Sequence, residues 1–492
     1  MNKQISQIGL VALILMIALI VGTTYWQTWA AAGLAARQDN AIQRVAQFQI
    51  KRGLIEGRGG HPLLAANVRQ KIRGNTYYFR RYPSRGLVAQ TVGYSTQGKS
   101  QTGLEKSEND YLTGANANLD TVLRTALDRI KGVTITGNDV TLTVRGRAQR
   151  IALDALGTQC GAVVALEPST GKVLVIASTP TYNPNLVEHH FARIARIRAQ
   201  CSPASPLLNR ATAGLYTPGS SFKVVTAAAA LDTGKYTLES TFYDPGYCIE
   251  YGKRVYNFRD QSGPETFGTL DFLTALQHSV NAVFCKIGKR LGAGTILEYA
   301  KRFGFYDKPP LETPANERAA SGLYAHGRLF RPKHDYQVDP GRLAFGQERM
   351  LVTPLQMAMV AAGVANGGVV MKPYVVDHVV APHGSLVTRT NPSVLGRAIK
   401  PSTAADLNTM MRAVVTGGTG TAAQIPGVEV AGKTGTAETG NSGINTTWFI
   451  AFAPADHPQV AVAVVLQNQT GSGGTTAAPI AKTVMEALLS NS

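Results

Sequence analysis

The sequence predicts an α/β protein of the α+β type, in which helices flank a five-stranded antiparallel sheet. Two apolar runs, GAVVALEP and KVLVIAS, are separated by a polar turn at residues 169–171, and this pattern is typical of an antiparallel hairpin. Three more strand-like runs, VEVAGKTGTAE, TTWFIAFAPA and PQVAVAVVLQN, lie near the C-terminus, and a helical pattern follows them from about residue 477 to residue 489. The stretch between the two groups is helical in pattern, so we expect all five strands to form one sheet that helices cover.

The composition is that of a large globular protein. The chain has 492 residues, of which 44% are hydrophobic and 16% are charged, so we expect two or three folded units rather than a disordered chain. The formal net charge is +18, but the Lys and Arg residues are scattered singly and form no basic arm or helix. We therefore predict no nucleic-acid partner. A basic surface would equally suit anionic lipid headgroups or anionic wall polymers.

The N-terminus carries the clearest targeting signal. Residues 4–36 contain no charged side chain, residues 8–21 are almost wholly apolar, and Trp26 and Trp29 follow them. Aromatic residues just beyond an apolar span favour a helix retained at a membrane interface, so we predict a single-pass transmembrane anchor in the cell membrane. A cleaved signal peptide with its cleavage site at residues 30–32 is the alternative.

The chain divides into three predicted parts. Residues 1–36 form a short cytoplasmic tail and the anchor. Residues 37–155 form a smaller mixed N-terminal module, with short strands such as VTLTV at 140–144 and without a catalytic constellation. Residues 156–492 contain the five-stranded sheet and every motif described below.

Four cysteines, Cys160, Cys201, Cys248 and Cys285, allow three different pairings into two disulfides. An oxidising location would permit one or two bridges, whereas Cys285 alone, inside the apolar run AVFCKIG, also fits a small core residue. The cysteine spacings do not suit zinc, and the histidine pair at residues 189–190 is not part of a helical HExxH pattern. We predict no metal and no cofactor.

The first candidate for catalysis is Ser220, which follows a Pro-Gly pair and begins the helical run SFKVVTAAAAL. Its spacing of three from Lys223 places the two side chains about one turn apart on one face, where an amine can take a hydroxyl proton. The helix N-terminus would stabilise negative charge beside the serine. The spacing alone is weak evidence, because STGK at residues 169–172 has it too and lies in the hairpin turn.

A second element, Ser279-Val280-Asn281, falls in a loop between two helical runs, where short polar side chains can face a cleft. Residues 107–109, Ser-Glu-Asn, match the same pattern but lie in the N-terminal module.

A third element, Lys433-Thr434-Gly435-Thr436, lies on a predicted strand, where Gly435 allows the close approach of a ligand or another backbone. Residues 427–434 also fit the pattern of a phosphate-binding loop. Such a loop should follow a strand and open a helix, whereas this stretch is itself strand-like, so we reject nucleotide binding.

The order Ser-x-x-Lys, Ser-x-Asn, Lys-Thr-Gly is the motif set of penicillin-binding proteins and class A β-lactamases. The surrounding runs GAVVALEPSTGKVL, NRATAGLYTPGSSFK, TPLQMAMVAAGVANGG and AGKTGTAE resemble class B penicillin-binding proteins, particularly the actinobacterial PbpA-like branch, over most of residues 161–492. Upstream, Arg52-Gly53, Tyr82-Pro83 and Gly103-Leu104-Glu105 are similar to the N-terminal motifs of the family. Three residues depart from its pattern: Gly57, where Asp is usual; Val280, where a smaller residue is common; and Glu348, where Gly is usual.

The resemblance implies a monofunctional peptidoglycan D,D-transpeptidase with an extracytoplasmic catalytic domain, acylated by β-lactam antibiotics. It also implies a membrane-embedded glycosyltransferase partner of the SEDS type. A lysine near its reference pKa of about 10.4 is protonated, so the general base needs burial or a neighbouring cation. The resemblance implies that Ser220 is the nucleophile, Lys223 the general base and Ser279 a proton relay. It implies that Asn281 orients the substrate and the base, and that Lys433 is the cation near the base. The substrate carboxylate would be bound by Lys433, Thr434, Gly435 and Thr436, and the backbone amides of Ser220 and Thr436 would form the oxyanion hole.

Three alternatives stay open. A D,D-carboxypeptidase would use the same serine and pass the acyl group to water. A class A β-lactamase would need a glutamate to activate that water, and Glu312 in the run ETPAN is the candidate, although its Pro-rich setting favours coincidence. A non-catalytic scaffold of a wall-synthesis complex would need none of the motif residues.

Overall fold

The structure is a computed structural model that describes residues 2–25, 47–97, 100–115, 127, 131, 133–257, 259–260, 263–439 and 443–490. Its helices are α1 Asn2–Tyr25, α2 Ala89–Val92, α3 Gly103–Ser107, α4 Asn109–Thr113, α5 Gly146–Leu156, α6 Phe191–Ala195, α7 Lys223–Asp232, α8 Phe272–Gln277, α9 Asn281–Leu291, α10 Ala293–Arg302, α11 Pro340–Leu343, α12 Pro354–Ala365, α13 Pro401–Gly417 and α14 Gly473–Leu489.

The strands are β1 Ile55–Glu56, β2 Leu63–Ile72, β3 Asn75–Arg81, β4 Asp139–Leu142, β5 Gly161–Leu166, β6 Val173–Thr179, β7 Thr241–Asp244, β8 Tyr247–Glu250, β9 Lys253–Tyr256, β10 Arg259–Asp260, β11 Gly263–Pro264, β12 Gly268–Asp271, β13 Gly322–Ala325, β14 Arg328–Leu329, β15 Met350–Leu351, β16 Val369–Met371, β17 Val376–Val380, β18 Leu386–Arg389, β19 Val394–Arg397, β20 Ala431–Glu438, β21 Asn445–Ala453 and β22 Val460–Gln469.

The predicted five-stranded sheet is confirmed. Its order is β20-β21-β22-β5-β6, and every neighbouring pair is antiparallel. Alternate side chains enter two separate cores: Val164 and Ile176 pack on the side of α12, whereas Val163 and Val175 pack on the side of α5 and α14. Because both faces are covered, the strands are apolar at almost every position instead of alternating with polar residues.

Helix α14 begins at Gly473, four residues before the predicted start at 477. The reason is the cap at Ser472, whose side chain accepts a hydrogen bond from Thr475 N while the Thr475 side chain accepts one from Ser472 N. This reciprocal cap stabilises a first turn that two glycines would otherwise disfavour.

The N-terminal module has its own sheet, with the order β18-β17-β4-β1-β2-β3. The strand predicted at 140–144 is present as β4, and it pairs with β17 from the other half of the sequence. Residues 376–389 thus complete the sheet of the N-terminal module, a pairing that the sequence analysis did not anticipate. The division of the chain at residues 36 and 155 stays a prediction.

A buried ion cluster lies beside this sheet. Glu105 accepts hydrogen bonds from Arg52 Nη2 at 3.1 Å and from Arg80 Nε at 2.7 Å, and all three side chains are buried. Burial acts to raise the pKa of Glu105, but the charges of Arg80 and Arg52 outweigh it, so that the net shift is downward. The cluster therefore holds an ionised carboxylate in the interior of the module.

The open cysteine pairing is resolved as Cys160–Cys201 and Cys248–Cys285. Cys285 is completely buried, as expected of a core residue, but it also links α9 to β8. The second bridge therefore ties the hairpin of β8 and β9 to the helix that begins at Asn281.

Among the described residues, none of the helices combines the length and the apolar character that crossing a bilayer requires. Trp26, Trp29 and the alternative cleavage site at residues 30–32 lie outside the described residues.

Candidate active site

Ser220 lies on a single 3₁₀ turn, Gly219–Phe222, that leads into α7. The sequence predicts an α-helix that begins at this serine. Gly219 instead has φ of 52°, and the chain needs one tight turn before α-helical geometry starts at Lys223. Ser220 is half-buried, whereas the hydroxyl of Ser221 is buried and donates to Pro218 O at 2.8 Å. Of the two serines, Ser220 presents the accessible hydroxyl.

Lys223 is buried, and its amine end points at the Ser279–Asn281 loop. Its Nζ donates to the backbone oxygen of Ser279 at 2.6 Å and to Oδ1 of Asn281 at 2.7 Å, and it lies 3.2 Å from Ser279 Oγ. The backbone N–H of Lys223 donates to Ser220 O, which fixes the turn that separates the two residues. Two of the three predicted motifs therefore meet at one amine.

The Ser279 loop is held in a strained conformation. Ser279 has φ of 60° between α8 and α9, a value that non-glycine residues seldom adopt except where the surroundings impose it. The side chain of Asn281 donates to Tyr256 O at 3.0 Å, and Ala282 N donates to Oδ1 of the buried Asn257 at 3.0 Å. The last residue of β9 and the residue after it thus hold the start of α9 in place. Neither Tyr256 nor Asn257 belongs to a recognised motif, so the sequence analysis did not single them out.

Lys433 completes the cluster from the edge strand β20. It is buried, and its Nζ donates to Ser279 Oγ at 2.8 Å and to Thr434 O at 3.0 Å. All three sequence motifs therefore converge on the hydroxyl of Ser279.

Glycines allow the Ser220 turn to approach β20. A Cβ atom at Gly435 would lie 2.7 Å from Pro218 O, and one at Gly219 would lie 2.8 Å from Thr436 O. The close backbone approach expected at Gly435 is thus present. In an antiparallel strand the N–H and C=O groups of one residue point to the same side. Because the carbonyl of Thr436 faces the Ser220 turn, its N–H faces that turn as well.

The two lysines have depressed basicity. Burial, and after it the charge of Lys433, holds the pKa of Lys223 well below its usual value. Burial lowers the pKa of Lys433 to about 7. The ring of Phe284, with its centroid 5.2 Å from Lys223 Nζ, favours the cation, but a contact of this kind contributes only about 0.5–2 kcal/mol and is outweighed by complete burial. The arrangement therefore favours a neutral amine at Lys223.

The threonines of β20 line the same edge. Thr434 Oγ1 lies 2.6 Å from Oγ1 of Thr419, a residue that follows α13. Thr436 Oγ1 accepts a hydrogen bond from Gly473 N at 3.2 Å, at the start of α14. Thr419 therefore contacts Thr434 of the third motif, but it could not be selected from the sequence because it belongs to no local pattern.

The competing motif matches lie elsewhere. Lys172 is in the β5–β6 hairpin, 3.9 Å from a carboxylate oxygen of Asp377, and Asn109 accepts a hydrogen bond from Arg52 in the N-terminal module. The carboxylate of Glu312 accepts from Val375 N at 2.9 Å and contacts none of the motif residues. Lys433 lies within strand β20, whereas the lysine of a phosphate-binding loop precedes a helix. This difference agrees with the rejection of nucleotide binding.

Two of the three departures from the family pattern have a local structural explanation. A Cβ atom at Gly57 would lie 2.5 Å from His61 O, so this backbone leaves no room for an aspartate. Val280 is buried among core residues next to α9. Glu348 forms an ion pair with its neighbour Arg349 at 2.7 Å, and nothing in the structure explains why it replaces glycine.

Comparison with known proteins identifies the family. The model described as the penicillin binding protein transpeptidase domain matches residues 161–486, and the penicillin binding protein A dimerisation domain matches residues 52–140. The chain is 35% identical over 515 residues to peptidoglycan D,D-transpeptidase PbpA of Mycobacterium tuberculosis, and 34% identical over 508 residues to that of Mycolicibacterium smegmatis, with 99% of each chain covered.

Solved structures agree with this assignment. The ceftriaxone acyl-enzyme complex of penicillin-binding protein A from M. tuberculosis superposes with a TM-score of 0.80 at 34% identity, covering 90% of this chain and 100% of that one. Its imipenem acyl-enzyme complex gives a TM-score of 0.77 at the same identity and coverage. The chain therefore belongs to the class B penicillin-binding proteins, in their PbpA-like branch.

Proposed function

We propose that this protein is a peptidoglycan D,D-transpeptidase that forms its acyl-enzyme on Ser220. The observation that carries the proposal is the hydrogen bonding of Lys223. A neutral amine has two hydrogens and one lone pair, and the two oxygens at 2.6 and 2.7 Å, on Ser279 and Asn281, take both hydrogens. The lone pair is left to accept a hydroxyl proton, either from Ser279 Oγ, which lies 3.2 Å away, or from Ser220, which carries a partly exposed hydroxyl one turn away.

The first half of the reaction exchanges an amide for an ester. Ser220 Oγ attacks the carbonyl carbon of the penultimate D-Ala of a stem peptide, and its proton moves to Lys223 Nζ. The backbone N–H groups of Ser220 and Thr436 stabilise the negative charge on the carbonyl oxygen. The bond to the terminal D-Ala then breaks, Ser279 passes its proton to the leaving nitrogen and takes the proton held by Lys223 in return, and free D-Ala departs.

The second half transfers the acyl group. The amino group of a second stem peptide attacks the ester carbon, loses a proton to the same relay, and displaces Ser220 Oγ, which is reprotonated. The hydroxyl of Ser279 suits this relay because both Lys223 and Lys433 lie within hydrogen-bond distance of it. A proton can therefore pass through it in either direction.

The substrate is oriented by its terminal carboxylate. We assign this group to Lys433, Thr434, Gly435 and Thr436 on β20. Thr436 Oγ1 already accepts from Gly473 N, so the hydrogen of its hydroxyl is free to donate to a ligand. β-Lactams carry a carboxylate and a strained amide in a similar arrangement, and the related penicillin-binding protein A of M. tuberculosis forms acyl-enzyme complexes with ceftriaxone and imipenem. We propose that such compounds acylate Ser220.

The remaining alternatives differ in what accepts the acyl group. A D,D-carboxypeptidase or a β-lactamase-like hydrolase would use water. Glu312, the glutamate considered for such a role, has its carboxylate bound to Val375 N and beside Arg318. A scaffold without catalysis would need neither a buried lysine pair nor a strained serine loop, both of which cost stability.

We further propose that the chain is anchored in the cell membrane by its N-terminus, with the catalytic domain outside the cytoplasm. Support comes from the apolar run at residues 8–21 and from α1, which exposes apolar side chains such as Leu13, Leu15 and Leu19. Two disulfides also suit an oxidising compartment. A membrane-embedded glycosyltransferase of the SEDS type remains the proposed partner for strand polymerisation, and residues 37–155 the proposed non-catalytic module.

Product analysis tests the proposal. The full chain is incubated with a synthetic stem pentapeptide and a D-amino acid acceptor, and the products are identified by mass spectrometry, with the Ser220→Ala variant as the control. Transpeptidation predicts a product in which the acceptor replaces the terminal D-Ala. Release of D-Ala with only the hydrolysed tetrapeptide would indicate a carboxypeptidase, and no turnover together with no penicillin labelling would indicate a scaffold.

A further inference from the structure

A fourth segment of the chain enters the site between the Ser279 loop and β20. Residues 418–420 follow α13, and Thr419 N donates to Gln277 O at 3.3 Å, two residues before Ser279. A Cβ atom at Gly418 would lie 2.3 Å from that same Gln277 oxygen, and one at Gly474 would lie 2.3 Å from Thr419 O. The backbone of this segment is therefore held closely on both sides.

The side chain of Thr419 reaches β20. Its Oγ1 lies 2.6 Å from Oγ1 of Thr434, and Lys433 Nζ lies 3.4 Å from Thr434 Oγ1 and 3.0 Å from Thr434 O. Thr434 is buried with 5% of its surface exposed, whereas Thr419 is exposed. A carboxylate arriving from solvent would therefore meet Thr419 before it meets Thr434.

The number of hydrogens in this pair decides what it offers. Two hydroxyls that share one hydrogen bond use one hydrogen between them and keep the second for another acceptor. If Thr434 donates to Thr419, the exposed Thr419 carries the free hydrogen; if Thr419 donates, it orients the free hydrogen of Thr434. In either case the pair presents one hydroxyl hydrogen outward, beside the Lys433 cation.

We infer that Thr419 is a substrate-binding residue, which together with Thr434 donates a hydrogen bond to the terminal carboxylate of the stem peptide and to the carboxylate of β-lactams. This inference rests on the proposed function and adds a residue outside the three motifs to it. The segment also has a packing role through its backbone, which a change of the side chain leaves in place.

The test compares ligands with and without the carboxylate. Thr419→Val removes the hydroxyl at nearly constant volume, Thr419→Ser keeps it, and Thr419→Ala serves as a second variant without a hydroxyl. Thr416→Val is the matched control, because Thr416 is an exposed threonine at the end of α13 whose hydroxyl donates to Arg412 O. The second-order rate of acylation is measured by mass spectrometry for benzylpenicillin and for its methyl ester.

Loss of a hydrogen bond to a charged group predicts that Thr419→Val and Thr419→Ala react about 10- to 100-fold more slowly with benzylpenicillin. Their rates with the methyl ester should stay within about twofold of wild type, and Thr419→Ser and Thr416→Val should behave like wild type with both ligands. An equal loss with both ligands, or no loss with benzylpenicillin, would overturn the inference while leaving Ser220 as the labelled residue. Failure of the wild-type chain to react with either ligand would refute the proposed function itself and this inference with it.

Discussion

Lys223 and Lys433 contact the same hydroxyl group: their Nζ atoms lie 3.2 Å and 2.8 Å from Ser279 Oγ. Both side chains are buried. Two cations this close together in an apolar interior repel each other, so the pair holds fewer protons than two free lysines would at neutral pH. Since Lys223 feels both its own burial and the charge of Lys433, we expect it to be the one that is neutral.

Replacement of the base should slow acylation without unfolding the protein. Lys223→Met keeps most of the side-chain volume and removes the amine, so we expect the rate of acylation by penicillin to fall by about 10²- to 10⁴-fold. Thermal stability should change little, because the gain from no longer burying an amine is offset by the loss of the donor to Ser279 O and Asn281 Oδ1. Lys172→Met, at the matching position of the STGK turn, is the control. A Lys223→Met rate within about tenfold of wild type would argue against a base at this position.

The pH dependence of acylation should be bell-shaped. At acid pH the amine of Lys223 takes up a proton and can no longer accept one from Ser220. Burial lowers the pKa of Lys433 to about 7, so above that pH the free enzyme loses the cation that attracts the ligand carboxylate. The second-order acylation rate, measured from about pH 5 to about pH 9, should therefore fall on both sides of an optimum. The two apparent pKa values of this profile belong to Lys223 and Lys433 as a coupled pair. A rate that rises steadily up to about pH 9 is the contrary result.

The two disulfides should differ in their effect on activity. Each closes a loop of moderate length, 41 and 37 residues, so replacing either pair by serines should cost about 3–4 kcal/mol in the free energy of unfolding. Loss of Cys248–Cys285 should also slow acylation, because this bridge ties the β8–β9 hairpin to α9 and Tyr256 O accepts from Asn281. Urea titration and acylation rates of the two double variants check this. Equal acylation rates would show that the second bridge does not position Asn281.

The buried Glu105 should make the N-terminal module sensitive to acid. Its pKa is lowered relative to 4.5, so its ion pairs stabilise the fold above that pH and the stabilisation is lost as the pH falls through the folded-state value. Glu105→Gln leaves Arg52 and Arg80 without their carboxylate and should cost about 3–5 kcal/mol at neutral pH. The midpoint of urea denaturation should decrease in wild type as the pH is lowered below about 4.5, and it should decrease less in the variant. Parallel curves for the two proteins would contradict this role.

Local patterns predicted the parts of the fold that local sequence determines. The five strands and their turns could be located because each apolar run is long enough to identify by itself. The start of α14 was misplaced because the Ser472–Thr475 cap, which extends the helix, lies outside the apolar pattern. The pairing of β17 with β4, and that of the cysteines, depends on residues far apart in sequence, and spacing does not determine such contacts.

The candidate site shows the same limit. Ser220, Ser279 and Lys433 could be selected because their motifs recur with a known order and a distinct local setting. Thr419 and Asn257 carry no such pattern, and their contacts arise only when α13 and β9 pack against the motif segments. The burial that lowers the basicity of the lysines is likewise a property of the folded chain.

Labelling by penicillin tests the identity of the nucleophile most directly. Wild type, Ser220→Ala and Ser221→Ala are each treated with a fluorescent penicillin, and the acylated peptide is identified by mass spectrometry. We expect wild type and Ser221→Ala to carry the label on residue 220 and Ser220→Ala to remain unlabelled. Labelling of Ser220→Ala to the same extent as wild type would contradict the account.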